Sequence, residues 1–365
     1  MSEKRVEAVI DTENIRKNYR YAKNLVGGTE IISVVKADAY GHGAVRVCRA
    51  LENEGCRIFA VAAAEEGELL RKAGIESDIL IMGITPVSRA AELSEYGFIQ
   101  AVNCAEYATA LSAGSGTVRV HIKVDTGMSR LGLYCHGDND ITEAAGSIAY
   151  INSLKGLKCE GIFTHFACSD NALSEMTKTQ YRVFNALCDE CESRGIDLGL
   201  KHCGNSGAII NFPGIKLDAV RAGIILYGYM PDGSMNPALY PAMRLTSTVS
   251  QTGRLKCGDT VSYGALYNAN CDIDIAVISI GYADGFSRLL SGKANVLING
   301  KKAGIIGRIC MDMCMADITG IPCAPGDEVE IFGGGISVDE LALKMGTINY
   351  ELLCAVSGRV PRRYI

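Results

Sequence analysis

The sequence predicts an α/β protein in which a (β/α)8 TIM barrel is followed by a mostly antiparallel β domain. Two observations predict this fold: a strand-and-helix unit repeats eight times in the first part, and short alternating strands replace it in the second. At about 100 to 200 residues per domain, a chain of 365 residues has room for two domains of unequal size. We therefore expect a barrel over residues 1–235 and a β domain over residues 236–365.

The barrel prediction rests on β-branched runs that alternate with amphipathic helical stretches between Glu30 and about Tyr227. The eight runs are IISVVK, IFAVA, DILIMG, FIQAVN, VRVHIKVD, LKCEGIFTHF, LGLKHC and LDAVRAGI, which end at Lys36, Ala62, Gly83, Asn103, Asp125, Phe166, Cys203 and Ile224. Helical stretches such as AAEEGELLRKAG and VSRAAELSEYG close with a glycine that suits a helix C-terminus. Eight strands alternating with helices is the count of a TIM barrel.

The β domain is predicted where this pattern stops, after about Met230. The segment PDGSMNPALYP is rich in turn residues, so we place the domain junction between Met230 and Pro241. Short alternating strands follow, and Asn299-Gly300 is a strong hairpin signal between two of them. Only SVDELALKMG looks helical in this half, whereas the chain start, MSEKRVEAVIDTENIRKNY, is polar and quickly becomes helix-like.

Composition and charge narrow the class of partner. The formal net charge of −5 argues against a nucleic acid held by its phosphates and favours a small molecule. The sequence has no apolar run long enough to span a membrane and no signal-peptide pattern at its start, so we expect a cytoplasmic protein. The fifteen cysteines are scattered through apolar runs, which is typical of reduced, buried thiols; Cys188 and Cys191 form a C-x-x-C inside a helical pattern, and the non-metal interpretation is favoured.

Chemistry in a TIM barrel belongs at the C-terminal ends of the strands, because the loops there build the site. These strand ends carry a cationic and polar set of side chains: Lys36, Tyr40, Lys123, Asp125, Arg130, His165, Asn205, Ser206 and Arg221. A lysine at a strand end is often only a solvated cap, but a desolvated lysine is an amine nucleophile. His165 alternates with apolar residues and fits a core histidine better than a metal ligand, so no metal site is predicted.

A phosphate site is predicted from HCGNSGA and RAGI, which follow the seventh and eighth strands. Barrels often bind phosphate at this place, and the Ser206 hydroxyl with the N–H groups of Gly223 and Ile224 could form the cradle. Asn-Ser-Gly is also an ordinary turn, so the position carries more weight than the motif. A phosphate cradle that faces a buried lysine in one barrel mouth is what pyridoxal phosphate requires.

At VVKADAYGHG the sequence resembles the cofactor-attachment motif of the alanine racemase family. The resemblance continues through KVDTGMSRLG, THFA, HCGNSGA, VRAGI, VSYG, IGYADG, GRICMD and TINYE, in the family's order and over nearly the whole chain. It implies a pyridoxal 5′-phosphate barrel, an added β domain and a homodimer whose sites lie between one subunit's barrel and the other's β domain. Lys36 is similar to the lysine that binds the cofactor and acts as one acid/base group, and Tyr263 of the partner copy is similar to the opposing group.

The resemblance also implies roles for other positions. Arg221 is similar to the arginine that meets the cofactor's pyridine nitrogen and His165 to the residue that orients it, while Lys123 is similar to a lysine that is often carbamylated. Further positions are similar to residues that bind the cofactor phosphate: Tyr40, Ser206, Gly223, Ile224 and Tyr350. Others are similar to residues at the substrate carboxylate (Arg130, Met311, Asp312) and to residues that line a narrow substrate corridor (Tyr282, Arg288, Arg308, Ile348).

The expected activity is interconversion of L- and D-alanine by two opposed acid/base groups, which would supply D-alanine for peptidoglycan. Related serine racemases tend to carry a smaller polar residue at the position of Tyr350, so its ring favours a substrate with a methyl side chain. Two alternatives remain at this stage: a serine or broad-specificity racemase, and a non-catalytic protein that carries pyridoxal phosphate.

Overall fold

The structure is a computed structural model that describes residues 5–365, and it contains the two predicted kinds of domain. The strands of the first part are β1 (Val6–Ile10), β2 (Glu30–Val34), β3 (Ile58–Val61), β4 (Asp78–Ile81), β5 (Ile99–Val102), β6 (Val118–Asp125), β7 (Leu133–Tyr134), β8 (Leu157–Phe163), β9 (Leu200–His202) and β10 (Ala219–Ala222). The helices are α1 (Thr12–Val26), α2 (Lys36–Tyr40), α3 (Ala44–Glu52), α4 (Ala64–Lys72), α5 (Ala90–Glu95), α6 (Ala105–Ser112), α7 (Ile141–Asn152), α8 (Glu175–Ser193) and α9 (Ser206–Asn211).

Eight of these strands close into a parallel barrel, as predicted. Their order is β5, β4, β3, β2, β10, β9, β8 and β6, and pairing of β5 with β6 completes the ring. Side chains of every barrel strand are buried, because helices cover the outside and the strands' other faces fill the interior. Each predicted run overlaps its strand, but β2 covers Glu30–Val34, so Lys36 does not end the strand and instead begins α2.

The second domain is built on strands β11 (Met243–Leu255), β12 (Thr260–Val261), β13 (Tyr267–Asn268), β14 (Ile273–Ile278), β15 (Asn295–Ile298), β16 (Lys301–Ile306), β17 (Cys314–Asp317), β18 (Glu328–Phe332) and β19 (Arg362–Tyr364). Its main sheet runs β14, β17, β16, β15, β18, β11, β1 and β19, with β14 also pairing β11. The predicted Asn299-Gly300 turn joins β15 to β16, and both residues have positive φ, 49° and 75°, as such a turn requires.

Two expectations about the ends of the chain were incomplete. The polar start does become helical at Thr12, but β1 precedes α1, and it lies in the sheet of the second domain, antiparallel to β11 and parallel to β19. Its partners are more than 230 residues away, so no local pattern indicates this pairing. The second domain also contains two helices rather than one, since α11 (Asn349–Ala355) follows α10 (Val338–Met345).

One continuous hydrophobic core spans both domains, including Ile10 of β1, Tyr227 at the barrel exit and Phe332 of β18. A smaller cluster of Val261, Ala269, Ile273 and Ile306 supports the β12–β13 hairpin. Within the described part of the chain, no helix is both long and apolar enough to cross a bilayer. Cys188 and Cys191 of the C-x-x-C are buried in α8, and burial raises the pKa of the Cys191 thiol to about 11.

Candidate active site

Lys36 lies at the barrel mouth, directly after β2, in a partly buried position. Burial lowers the pKa of its amine, and the positive charge of Arg130 lowers it further. The next four residues, Ala37 to Tyr40, all have left-handed φ values between 52° and 54°. Such a conformation costs about 1–2 kcal/mol for each residue with a Cβ, so this turn stores strain beside the amine.

Tyr40, Ser206 and Gly223 form a small polar cradle beside this turn. The Ser206 hydroxyl accepts the Gly223 N–H at 2.8 Å. A Cβ placed on Gly223 would lie 2.9 Å from the Tyr40 hydroxyl and 3.5 Å from the Ser206 hydroxyl, so glycine keeps this space open. Ile224, fully buried, begins the 3₁₀ turn that follows.

Tyr350 comes to the cradle from the second domain. It lies on α11, and its ring centroid is 5.9 Å from that of Tyr40, which in turn packs on Tyr227 at 4.8 Å. Burial raises the pKa of both Tyr40 and Tyr350, which keeps the two phenols protonated and able to donate. Ile348, at the start of α11, is exposed at 57%.

Arg221 is the buried cation of the barrel mouth, with 2% of its surface exposed. Its Nη2 donates to the Thr164 carbonyl at 2.7 Å and lies 3.2 Å from Nδ1 of His165. Its Nη1 lies 2.7 Å from Nδ1 of His202. A guanidinium only donates, so both imidazoles accept through Nδ1. Among residues 5–365 no hydrogen bond engages Nε, which leaves this N–H for a ligand.

His202 and His121 extend this contact and are residues that sequence reasoning missed. Since Nδ1 of His202 accepts from Arg221, its Nε2 carries the proton and donates to Nδ1 of His121 at 3.0 Å. Burial lowers the pKa of His121 to about 4, and burial together with the Arg221 charge lowers the pKa of both His202 and His165. All three rings are therefore neutral partners, and their inward position on strands β6 and β9 or just after β8 was the available signal.

Lys123 and Arg130 are two further basic residues of the barrel, and they lie in opposite environments. Lys123 is buried, with Nζ 3.1 Å from the Val124 carbonyl and 5.0 Å from the centre of the Phe163 ring. Burial and the charge of Arg221 lower the pKa of its amine well below the usual value. Arg130 lies exposed at the end of a loop that the Asp125 carboxylate organises by accepting backbone N–H groups of residues 127–130.

Asp125 keeps a low pKa although burial opposes ionisation, because the backbone N–H donors of Gly127, Ser129 and Met128 stabilise its charge. The loop also needs the positive φ values of Gly127 (129°) and Ser129 (55°). Asp125 therefore fixes the backbone of the loop that carries Arg130.

Tyr263 lies in a different setting. It begins a 3₁₀ turn after β12, and 69% of its surface is exposed. With Tyr282, Arg288, Ile309 and four further residues it lines an open groove of about 630 Å³ on the second domain, and Lys36 is not among the lining residues. Arg308 lies beside this turn, since the Ser262 hydroxyl donates to its carbonyl at 2.7 Å.

Met311 and Asp312 lie on a loop beside the same groove. The Met311 carbonyl accepts the Ala283 N–H at 3.1 Å, which joins this loop to the turn that carries Tyr282. Asp312 pairs with Arg359 at 2.5 Å. The structure thus brings Lys36, Tyr40, Arg130, Arg221 and Tyr350 to the barrel mouth, and it collects Tyr263, Tyr282, Arg288, Arg308, Met311 and Asp312 on the surface of the second domain.

Known proteins match both domains. Residues 10–231 match the N-terminal domain of alanine racemase, and residues 242–364 match its C-terminal domain. An alanine racemase of Desulfovibrio desulfuricans is 44% identical over 369 residues, covering 99% of this chain and 98% of that protein. The solved alanine racemase of Clostridium difficile 630 superposes with a TM-score of 0.94 at 37% identity, covering 100% of this chain and 97% of that one. A complex of the same protein with cycloserine has a TM-score of 0.91 at 36% identity, over 100% and 96%. This chain therefore belongs to the alanine racemase family.

Proposed function

We propose that this protein interconverts L- and D-alanine with pyridoxal phosphate as its cofactor, using Lys36 and Tyr263 as opposed acid/base groups. The observation that carries the proposal is the barrel mouth itself, where a desolvated Lys36 amine lies beside the open cradle of Tyr40, Ser206 and Gly223. Family membership supports the choice of alanine.

The residues present fit the cofactor. An aldehyde needs an unprotonated amine, and burial of Lys36 favours that form. A phosphate needs several donors, and the phenols of Tyr40 and Tyr350, the Ser206 hydroxyl and the backbone N–H of Ile224 would supply them. The Gly223 N–H, which donates to Ser206 in this structure, would join them by exchanging that acceptor for the phosphate. When bound, pyridoxal phosphate supplies the electron sink that acidifies the Cα–H of an amino acid.

The chain's own groups then divide the work. Racemisation needs one proton-transfer group on each face of Cα, and Lys36 serves one face while Tyr263 serves the other. Arg221, a guanidinium that only donates, would hold the cofactor's pyridine nitrogen through its Nε–H, and such a donor would favour the unprotonated nitrogen. His165 and His202 fix the orientation of Arg221.

Substrate carboxylate recognition falls to Arg130 and to the backbone of Met311, with Asp312 beside it. Lys123 supports Arg130 after reaction with carbon dioxide: its unprotonated Nζ bonds to the carbon, one proton leaves to solvent, and the product is an anionic carbamate beside two arginines. Tyr282, Arg288 and Arg308 together with Ile348 line the corridor to the site. The Tyr350 ring restricts that site to a small side chain.

The active unit of this proposal is a homodimer, with Tyr263, Met311 and the corridor residues of one copy completing the barrel mouth of the other. The exposure of Tyr263 and its groove supports this arrangement, because a proton-transfer group needs a site that excludes water. In a cytoplasmic setting the D-alanine formed would serve peptidoglycan synthesis.

The test is a racemisation assay of the cofactor-loaded protein with each enantiomer of alanine and of serine in deuterated water. We expect Cα deuterium exchange from both enantiomers of alanine, and kcat/KM for alanine above that for serine by about tenfold or more, as the proposed role of the Tyr350 ring requires. A higher value for serine would indicate the broad-specificity alternative. Binding of cofactor without exchange would indicate a carrier and contradict the proposal.

A further inference from the structure

The left-handed turn after Lys36 needs an external restraint. Its residues Ala37, Asp38 and Ala39 combine φ near 53° with ψ near 49°, a full turn of left-handed helix made without glycine. Side chains disfavour this conformation, so it persists only where the surroundings hold it. The C-terminal part is held by the chain itself: the Asp38 carboxylate accepts the Ala44 N–H at 2.7 Å, and Tyr40 is buried.

Glu66 holds the other end of the turn. This residue lies on α4, and its Oε1 accepts the Ala37 N–H at 2.6 Å. Its Oε2 accepts the N–H groups of Ala62 and Ala63 at 2.7 and 3.2 Å, at the start of its own helix. One carboxylate therefore ties the residue next to Lys36 to the end of the neighbouring strand β3.

The turn sets the distance between two groups that would hold one ligand. Lys36 precedes it and would bind the aldehyde, and Tyr40 ends it and reaches the phosphate cradle at Gly223. If Ala37 relaxed toward the right-handed region, the Lys36 amine and the Tyr40 hydroxyl would move relative to each other. Catalytic geometry tolerates only small errors of this kind.

We propose that Glu66 is a positioning residue, whose carboxylate locks the left-handed turn and thereby fixes the Lys36 amine against the phosphate cradle; this inference rests on the proposed function. The bond to Ala37 separates this role from ordinary helix capping, because capping of α4 uses only the other carboxylate oxygen.

The experiment compares Glu66→Ala and Glu66→Gln with Glu65→Gln. Glu65 is the adjacent residue of the same helix, pairs with Arg89 and is 71% exposed in its side chain, so it is a matched control. Cofactor is removed, and the dissociation constant of each apo protein for pyridoxal phosphate is measured by absorbance titration, followed by kcat and KM for alanine. We expect Glu66→Ala to weaken cofactor binding and to lower kcat by at least about tenfold each, with KM nearly unchanged, because the turn carries cofactor groups.

A second variant separates positioning from helix stability. Ala63 has the extended backbone of an N-cap, φ −134° and ψ 156°, but no side-chain acceptor. Adding Ala63→Ser to Glu66→Ala restores a cap to α4 without restoring the Ala37 bond. We expect the double variant to recover melting temperature while cofactor affinity stays low. Recovery of both, or a Glu66→Ala protein that binds cofactor like the unmodified chain, would overturn the role of Glu66.

Failure of the proposed function would look different. It would appear as absence of alanine racemisation in the unmodified protein and in Glu65→Gln, while the cofactor titrations of the Glu66 variants would still decide the positioning role.

Discussion

Lys36 and Tyr263 lie in opposite environments. The lysine is enclosed by its own barrel, where burial and the neighbouring arginines lower the pKa of its amine. The tyrosine lies on an open groove of the second domain with 69% of its surface exposed. One chain thus encloses the lysine and leaves the tyrosine on its surface.

The second domain exposes several apolar side chains besides Tyr263. Leu266, Leu289, Met311 and Met313 of the same domain are exposed at 46–66%. Exposed apolar side chains mark a contact surface where they form one contiguous patch, which is what the proposed homodimer predicts for this face. The difference between the two regions teaches that the fold alone desolvates the lysine, whereas only a second copy, as the proposed homodimer requires, would desolvate the tyrosine.

The strongest test of the contrast between Lys36 and Tyr263 is to inactivate each residue in a different copy of the chain. Lys36→Ala and Tyr263→Phe should each lower kcat/KM for L-alanine by about 10² to 10⁴-fold, because each removes a proton-transfer group. If sites are shared, mixing the two inactive proteins with subunit exchange should restore about a quarter of the unmodified activity, since half of the dimers are hybrids with one intact site. Hybrids identified by native mass spectrometry but still inactive would contradict shared sites.

The proposed mechanism also predicts that loss of Tyr263 affects the two enantiomers of alanine unequally. Tyr263→Phe should slow removal of the Cα proton from L-alanine by about 10²-fold or more, while the lysine face still exchanges the proton of D-alanine with solvent. Deuterium wash-in followed by NMR from each enantiomer separately measures the two rates. Equal loss from both enantiomers would exclude the assignment of one residue to each face.

The barrel side of the comparison was the more predictable from sequence. Strand periodicity located all eight barrel strands, and their ends supplied Lys36, His165, Ser206 and Arg221 because a TIM barrel gathers strand ends in one mouth. The left-handed turn was not predictable, since Ala and Tyr carry no signal for positive φ and the single Asp38 carries only a weak one. The hydrogen bond between Glu66 and Ala37 was not predictable either, because the two residues are 29 positions apart and belong to different βα units.

The second domain was less predictable from sequence, because its contacts join residues that are even farther apart in the chain. Its strands could be recognised, but β1 joins β11 across more than 230 residues, and no local periodicity records such a pairing. Helix α11 spans only seven residues, which is too short for a clear helical pattern. Tyr263 and Tyr350 came from the family resemblance, because a tyrosine in a turn or short helix has no distinctive local signal.

The two regions should respond differently to acid. All five histidines lie between positions 42 and 202, in the barrel part. Burial lowers the pKa of His42 and of His121 from 6.5 to about 4, so the unfolded chain takes up protons first as the pH falls. Stability contributed by these neutral rings is complete above pH 6.5 and is lost between pH 6.5 and about 4.

We expect this loss to reach on the order of 2 kcal/mol per histidine in the free energy of unfolding. Urea unfolding at pH 7 and at pH 4.5 measures it, and His42→Gln should show a smaller difference between the two pH values than the unmodified protein. An equal pH dependence in both proteins would show that His42 is not a source of the acid sensitivity.

The smallest expected effect concerns the ion pairs that position the Tyr282 turn and the Met311 loop on the second domain. Asp284, fully buried, pairs with Arg5 at 2.5 Å and with Arg359 at 2.7 Å, and Arg359 also binds Asp312. Residues close to both chain ends therefore clamp the turn that carries Tyr282 against the loop that carries Met311. The two arginines and the Gly281 N–H keep the pKa of Asp284 low although burial opposes ionisation. Arg359→Met should loosen this clamp and raise KM for alanine about three- to tenfold, with a smaller change in kcat.

Arg363→Met is the matched control, because it breaks a 2.6 Å pair between Arg363 and Glu7 that joins the same two terminal strands without reaching the groove. The clamp interpretation requires KM to rise for Arg359→Met and to stay constant for Arg363→Met, with Arg359→Lys in between because one point charge cannot bridge two carboxylates as a guanidinium does. Equal changes in both methionine variants would mean that general attachment of the chain ends, rather than the position of the Tyr282 and Met311 loops, sets substrate affinity.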